Sequence, residues 1–330
     1  MRPSQALMAL PIVYNTIKRD ASTLMLRSTP ARFVRDRLPD RMLISLQYLK
    51  TFHKPLHLGK PRTFSEKLQW LKLYYRLPVL TQFADKYESR FLVAQRLGAN
   101  CLTDLYGVWD RVEEIDFAKL PNSFVLKVTT GSAANIFCRD KSQLHLDQTR
   151  AALSSMMKKN HYLGAREWPY RNITPRVIAE QFMFDDFGRN SQDFKFFCFD
   201  GAPHFVQVDT HCGARHARNF FTMDFEPAVF TIGPYPSSLQ AIPKPAQFHQ
   251  MASFASILTR GFPFARADFY QFNGRVIFGE VDWYPDAGLH AFYPESYDEE
   301  LGKLLHLPVA AVRTNSTGAG SSSAFGAMPT

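Results

Sequence analysis

Four cysteines in 330 residues, none of them in a C-x-x-C pair, are too few to staple a chain of this size. A disulfide scaffold is therefore excluded and a reducing cytoplasm is expected. Cys101, Cys138, Cys198 and Cys212 read as small buried hydrophobes. No apolar run reaches the ~18 residues that a membrane span needs. The opening MRPSQALMALPIVYN lacks the small-residue cleavage pattern of a secretory leader, so none is expected. The loop Thr129 to Asn135 has a single glycine and no Gly-Lys-Ser/Thr, which excludes a Walker A site there. His211, Cys212 and His216 match no common zinc spacing, and no nucleic-acid recognition motif accompanies the positive charge.

What is present is ordinary for a globular chain: 45% hydrophobic and 21% charged residues, enough for one large or two modest domains. The 39 basic residues outnumber the 30 acidic ones, for a net charge of +9. Such a balance favours anionic partners: nucleotides, acidic sugars, nucleic acid or an anionic membrane surface, among which charge alone does not choose.

The acids are concentrated in one stretch, FARADFYQFNGRVIFGEVDWYPDAG, from Phe264 to Gly288. Two runs of β-branched and aromatic residues flank Asn273-Gly274, so a β-hairpin is predicted. Side chains alternate faces with period 2, so the loop length decides whether Asp268, Glu280 and Asp282 meet. A two-residue loop pairs Phe272 with Arg275 and separates Asp268 from Glu280. A three-residue loop pairs Gln271 with Arg275 and gathers Arg266, Asp268, Glu280 and Asp282 on one face. It also leaves Ala265, Ala267, Phe269, Ile277, Gly279 and Val281 on an apolar face, so the three-residue loop is the expectation. Carboxylates so gathered repel unless a cation lies among them, and an oxygen-only set suits Mg²⁺ or Mn²⁺. The plainer alternative is a solvated polar face of an edge hairpin.

Residues 1–60 read as helical pieces broken at Pro30, Pro39 and Pro55. Their scattered Arg and Lys suggest a basic surface for a polyanion or for peripheral membrane contact, or simply a solvated helix face. Thr63 and Glu66 form a capping box that opens a helix, and Asp85-Lys86-Tyr87 opens another that Gly98 closes. Strands are expected from Ser123 to Val128, Ile136 to Cys138, Arg176 to Met183 and Phe194 to Phe199, and helices around Leu153 to Lys159 and Phe248 to Leu258. Lys127 precedes the small-residue loop with Thr130, Gly131 and Ser132, an arrangement that can hold phosphate or serve as an ordinary turn. Lys195, among aromatic neighbours, either has an anion beside it or points to solvent. His211 to Asn219, with Arg215 and Arg218, is read as a flexible basic loop that grips an anionic substrate. The Ser/Gly/Ala-rich end, residues 307–330, is read as a tail outside the fold.

The order of these parts, with the phrases PRTFSEKLQWLKLY, LPNSFVLK, REWPY, DFKFFCF and GFPFARADFY, resembles the ATP-grasp enzymes, and among them the TupA-like branch named for teichuronopeptide biosynthesis. The resemblance implies an α+β fold in which two α+β subdomains, about 105–180 and 181–306, clasp a nucleotide within a catalytic domain spanning 61–306. It implies that Lys127, Thr130, Gly131 and Ser132 cover the ATP phosphates, and that Glu180, Gln181 and Phe182 meet adenine. Lys195 becomes a second nucleotide contact. Asp268 and Glu280 match magnesium ligands, with Asp282 where the superfamily commonly has Asn. Arg266 matches an arginine on the transferred phosphoryl group; with Lys195 and Arg218 it makes the candidate catalytic set.

The activity so implied is ATP-dependent carboxylate–amine ligation through an acylphosphate. The acceptor is expected to be an acidic saccharide of the cell surface or its precursor, and the amine donor an amino acid. Two alternatives stand beside it: a glycosyltransferase using a sugar nucleotide, with Asp282 or Asp185-Asp186 on the metal, and a non-catalytic protein that binds nucleotide or polyanion.

Overall fold

The computed structural model describes residues 29–131, 135–183, 192–212, 215–238 and 240–308. In chain order they form helices α1 (Thr29–Arg37), α2 (Asp40–Phe52), α3 (Phe64–Tyr74), α4 (Pro78–Ala84) and α5 (Glu88–Leu97). Strands β1 (Leu105–Trp109), β2 (Phe124–Val128) and β3 (Asn135–Cys138) follow, then α6 (Leu146–Met157), α7 (Tyr162–Ala165) and β4 (Val177–Glu180). The second half contains β5 (Asp193–Phe199), β6 (Ala202–Cys212), β7 (Arg215–Thr222), β8 (Thr231–Ile232), α8 (Phe248–Thr259), β9 (Phe264–Phe272), β10 (Arg275–Asp282), β11 (Phe292–Tyr293) and α9 (Ser296–Leu304).

Two antiparallel sheets organise the chain. One has the order β1-β4-β2-β3 and the other β10-β9-β5-β6-β7; β11 and β8 form a separate pair. The apolar residues of β2 and β4, including Phe124, Leu126, Val128, Val177 and Ala179, pack against Leu153 and Met156 of α6. In the larger sheet Phe194, Phe196, Val206, Val208 and Phe269 share a core with Phe248, Met251, Ala255 and Leu258 of α8. Burial of each such side chain contributes about 1.5–3 kcal/mol. α8 covers one face of the larger sheet, so the polar residues of its strands are collected on the other.

Local signals account for several boundaries. The Thr63 hydroxyl accepts the Glu66 N–H at 3.1 Å, and the Glu66 carboxylate accepts the Thr63 N–H at 3.2 Å, which closes the capping box of α3. Gly98, at φ +86°, ends α5. Pro39 is the N-cap of α2 and Pro55 lies beyond its end. Pro30 lies in α1, and the residues before Thr29, on which a break at this proline depends, lie outside the described residues.

The hairpin differs from its expectation in one respect. The loop has two residues, Asn273 at φ +48° and Gly274 at φ +70°, and Arg275 pairs with Phe272. That register alone would separate the acids. It changes between Phe278 and Glu280, where Gly279 forms a β-bulge, so that Glu280 faces Asp268 and Asp282 faces Arg266. Ile277 accordingly lies opposite Tyr270, and Phe278 opposite Phe269 in the core. The bulge needs glycine: a Cβ there would lie 2.9 Å from Tyr270 Cε2 and 3.0 Å from the Asp268 carbonyl oxygen. The acids do share a face, but one extra residue in β10 brings them together, not one in the turn.

The basic loop is also corrected. Residues 215–219 belong to β7 and pair with β6, and Arg218 is 2% exposed. Residues 213 and 214, and the side chains of His211, Cys212 and Arg215, lie outside the described residues, as do Ser132, Asp185, Asp186, residues 1–28 and residues 309–330. Among the described residues no helix is long and apolar enough to cross a membrane.

Candidate active site

Three neighbouring strands of the larger sheet set Lys195, Asp268 and Glu280 side by side, because Lys195 pairs with Asp268 and Asp268 with Glu280. Asp268 is 1% exposed and accepts from Lys195 Nζ at 3.0 Å and from Arg266 at 2.7 and 2.8 Å. Arg266 also reaches Asp282 at 3.2 Å and Glu280 at 3.7 Å. Burial alone would lower the Lys195 ammonium, but Asp193 and Asp268 overcome it and hold it well above its usual value. Lys195 thus has the anions its surroundings demand.

The alternation of charge continues across the sheet. Asp209 on β6 lies 3.4 Å from His216 and 3.1 Å from Arg218, whose other partner is Asp286 at 2.6 Å. Burial pushes the Asp193 carboxyl up to about 6 against the pull of Lys195. Burial likewise raises Asp282, while Arg266 pulls it down. The carboxylates of Asp193, Asp209, Asp268, Glu280 and Asp282 thus alternate with the cations Lys195, Arg218 and Arg266.

The smaller sheet contributes a second cluster. Lys127 is ion-paired with Glu180 at 2.6 Å, and Arg90 bonds the same carboxylate. Burial alone would raise Glu180; Lys127 and Arg90 overturn it and hold the carboxyl below its usual range. The Gln181 N–H donates to the Asp104 carbonyl at 2.9 Å, which takes that amide from any bound base. Phe182 is buried against Phe137, with Arg139 over its ring. After β2 the chain turns through Thr130 and Gly131, and Lys86 Nζ donates to the Gly131 carbonyl. The His161 ring lies against Gly131 so closely that a Cβ there would overlap it, at 2.1 Å. Burial lowers the Lys86 ammonium, against which the carboxylates of Glu280 and Glu180 act.

Lys86 is one of several site residues that sequence reasoning missed. Glu167 and Tyr170, from the loop after α7, are influenced electrostatically by Glu280 and Asp282. Burial raises Glu167 to about 7 and lowers the fully buried Lys72, its counter-charge, to about 8. The REWPY phrase marked that loop, and Asp85-Lys86-Tyr87 marked a helix start, but nothing in either spacing pointed to these strands.

The site's own atoms test whether a nucleotide and its metal suit it. Thr130 Oγ1, His161 Nε2, Asn135 Oδ1 and Asp193 Oδ1 are buried with no hydrogen-bond partner among the described residues. Of these, the Thr130 hydroxyl and the His161 ring nitrogen can donate to a phosphate oxygen, whereas the Asn135 and Asp193 oxygens are acceptors that call for a donor or a cation. The three-carboxylate metal set is not assembled as a cage: among the described residues no three His, Cys, Asp or Glu side chains gather closely enough. Mg²⁺ does not need one, since it takes one or two carboxylates and completes its shell with phosphate oxygens and water. The facing pair Asp268 and Glu280 fits that requirement.

The sequence profile described as TupA-like ATPgrasp matches residues 66–306. Among solved structures, D-alanine–D-alanine ligase from Bacillus anthracis complexed with ATP is 16% identical, with TM-score 0.36 over 61% of this chain and 54% of that one. The ATP-grasp ligase PsnB, with a precursor variant, Mg and ADP, is 10% identical, with TM-score 0.40 over 73% and 65%. N5-carboxyaminoimidazole ribonucleotide synthetase from Thermus thermophilus is 13% identical, with TM-score 0.36 over 66% and 51%. The chain spans between half and two thirds of those proteins. Among curated proteins nothing matches. With the profile running from α3 through α9, across both sheets and the acidic hairpin, the chain belongs to the TupA-like ATP-grasp family.

Proposed function

We propose that the protein is an ATP-dependent carboxylate–amine ligase working through an acylphosphate. One observation carries the reading: a facing pair of carboxylates, Asp268 and Glu280, flanked by Lys195 and Arg266. An anionic acceptor and a triphosphate repel each other, so a site that joins them must supply fixed cations where they meet.

In this reading Thr130, Gly131, Lys127 and Lys86 bind the ATP phosphates, and Glu180 and Phe182 hold the base. Arg266, Lys195 and Arg218 stabilise the transferred phosphoryl group. Asp268 and Glu280 would hold Mg²⁺ or Mn²⁺, which when bound withdraws charge from the phosphate oxygens. An acceptor carboxylate oxygen attacks the γ-phosphorus, and the bond to ADP breaks with its electron pair leaving on ADP. The amine nitrogen then attacks the acyl carbon and expels phosphate; the products are an amide, phosphate and a proton. By the resemblance, the acceptor is an acidic saccharide of the cell envelope or its precursor and the amine an amino acid. The sugar-nucleotide alternative would use Asp282, 3.2 Å from Arg266, or the Asp185-Asp186 pair, which lies outside the described residues; membership of the ATP-grasp family favours ATP.

Hydroxylamine tests the intermediate. With ATP, Mg²⁺ and a panel of uronic acids and uronate oligosaccharides, the protein should release ADP and yield the acceptor hydroxamate. ADP release with no hydroxamate on any acceptor that stimulates it would reject the acylphosphate.

A further inference from the structure

We infer that the outward face of α1 and α2 docks on an anionic lipid surface, an assignment independent of the reaction proposed above. Among the described residues, five of the eleven large hydrophobic side chains that are markedly exposed fall on these two helices: Phe33, Val34, Met42, Leu46 and Leu49, from 47% to 59% exposed. The other six are scattered singly over the rest of the chain, as on any soluble surface. Met42, Leu46 and Leu49 stand at i, i+4 and i+7, one stripe along α2, while Leu43, Ile44 and Tyr48 bury the opposite side. The stripe is therefore additional to the face that holds α2 to the protein.

The charges around it are sorted. Arg37, Arg41 and Lys50 are exposed beside the apolar residues. The two acids of these helices are half-buried and paired, Asp36 with Arg35 and Asp40 with Arg76, Arg166 and the Tyr162 hydroxyl. What these helices present outward is apolar and cationic with no unpaired carboxylate, the composition of a helix that lies in a lipid headgroup layer. Two copies of this face would repel each other, and a nucleic acid would use the cations but leave the stripe in water.

The docked helices would be joined mechanically to the site. Arg166, 2% exposed, donates to the carbonyls of Arg35, Asp36 and Leu38 at the end of α1, and Glu167 follows it directly. Gln47 of α2 donates to the Gly164 carbonyl at 2.9 Å.

Flotation of the full chain with lipid vesicles tests the inference. The protein should float with phosphatidylcholine vesicles that contain phosphatidylglycerol and remain below with pure phosphatidylcholine, and high salt should release it. Replacing Arg41 and Lys50 by Ser should lower partitioning at least about tenfold. The double variant Leu46→Glu and Leu49→Glu should abolish flotation while melting temperature stays as in wild type, since both side chains are exposed. The inference is overturned if the wild-type chain ignores anionic vesicles, or if the Leu46/Leu49 variant floats undiminished. It is also overturned if that variant instead converts a dimer to a monomer in sedimentation, which would make the face a contact between copies.

Discussion

Two glycines of the same hairpin should respond differently to alanine. At Gly279 the new methyl would lie 2.9 Å from Tyr270 Cε2 and 3.0 Å from a backbone carbonyl of the paired strand. Two hydrogen-bonded strands yield little, so the overpacking costs about 1–3 kcal/mol. The bulge that turns Glu280 toward Asp268 is what must move. At Gly274 nothing lies within 4 Å, and the cost is conformational: alanine at φ +70° loses about 1–2 kcal/mol. The two variants therefore lose comparable stability in urea unfolding but differ at the site. Gly279→Ala should lose most of the thermal protection given by ATP with Mg²⁺, whereas Gly274→Ala should keep it. If Gly274→Ala lost that protection and Gly279→Ala retained it, the turn would set the acids and the bulge assignment would be wrong.

Further outcomes follow from individual contacts. Lys127→Met should weaken ATP binding roughly 10–100-fold, as for a lost charge-assisted phosphate contact of about 1.5–3 kcal/mol. It should also change the acid limb of stability. Glu180 is held below its usual range, so its contribution is present above the ordinary carboxylate pKa and lost as pH falls through the folded value. Without Lys127 that loss, as pH falls below the ordinary carboxylate range, should be shallower in urea melts. Burial lowers His161 from 6.5 to about 4, with Lys86 and Lys159 adding to it. The unfolded chain thus binds more protons between these values, and stability should fall as pH drops from about 6.5 toward 4; His161→Gln should flatten that slope. Arg166→Ala leaves the carbonyls of Arg35, Asp36 and Leu38 without their donor, while Asp40 keeps Arg76 and the Tyr162 hydroxyl. It should cost about 1–3 kcal/mol and raise hydrogen exchange in α1 before the sheets.

Short-range signals were legible because each is complete within a few residues. Thr63 and Glu66 define a helix start, Gly98 an end, and Asn273-Gly274 a turn. Lys127 could be placed at the end of a strand and Asp268 on another, since alternation fixes position along a strand. The bulge at Gly279 was not legible. A residue dropped from the pairing shifts every later side chain to the other face, and sequence alternation alone attributed that shift to the turn. The pairing of the basic segment was missed for a similar reason. Arg218 looks like a loop cation in one dimension, yet Asp209 and Asp286, which neutralise it, stand 9 and 68 residues away. Lys86, Arg90 and Glu167 belong to helices and loops with no local mark of function, and only the packing of α5 and α7 near the strands brings them to the acids.

The central claim is that carboxylates 268 and 280 take a divalent ion together with a nucleoside triphosphate. Calorimetric titration of ATP into the protein, with Mg²⁺ and with the metal chelated, measures that coupling directly. Wild type should bind ATP at least about tenfold more tightly with Mg²⁺, a difference of about 1.4 kcal/mol, and Glu280→Gln should lose most of that difference while folding as wild type. Equal affinity with and without the metal, or a Glu280→Gln variant with its metal dependence intact, would contradict the account.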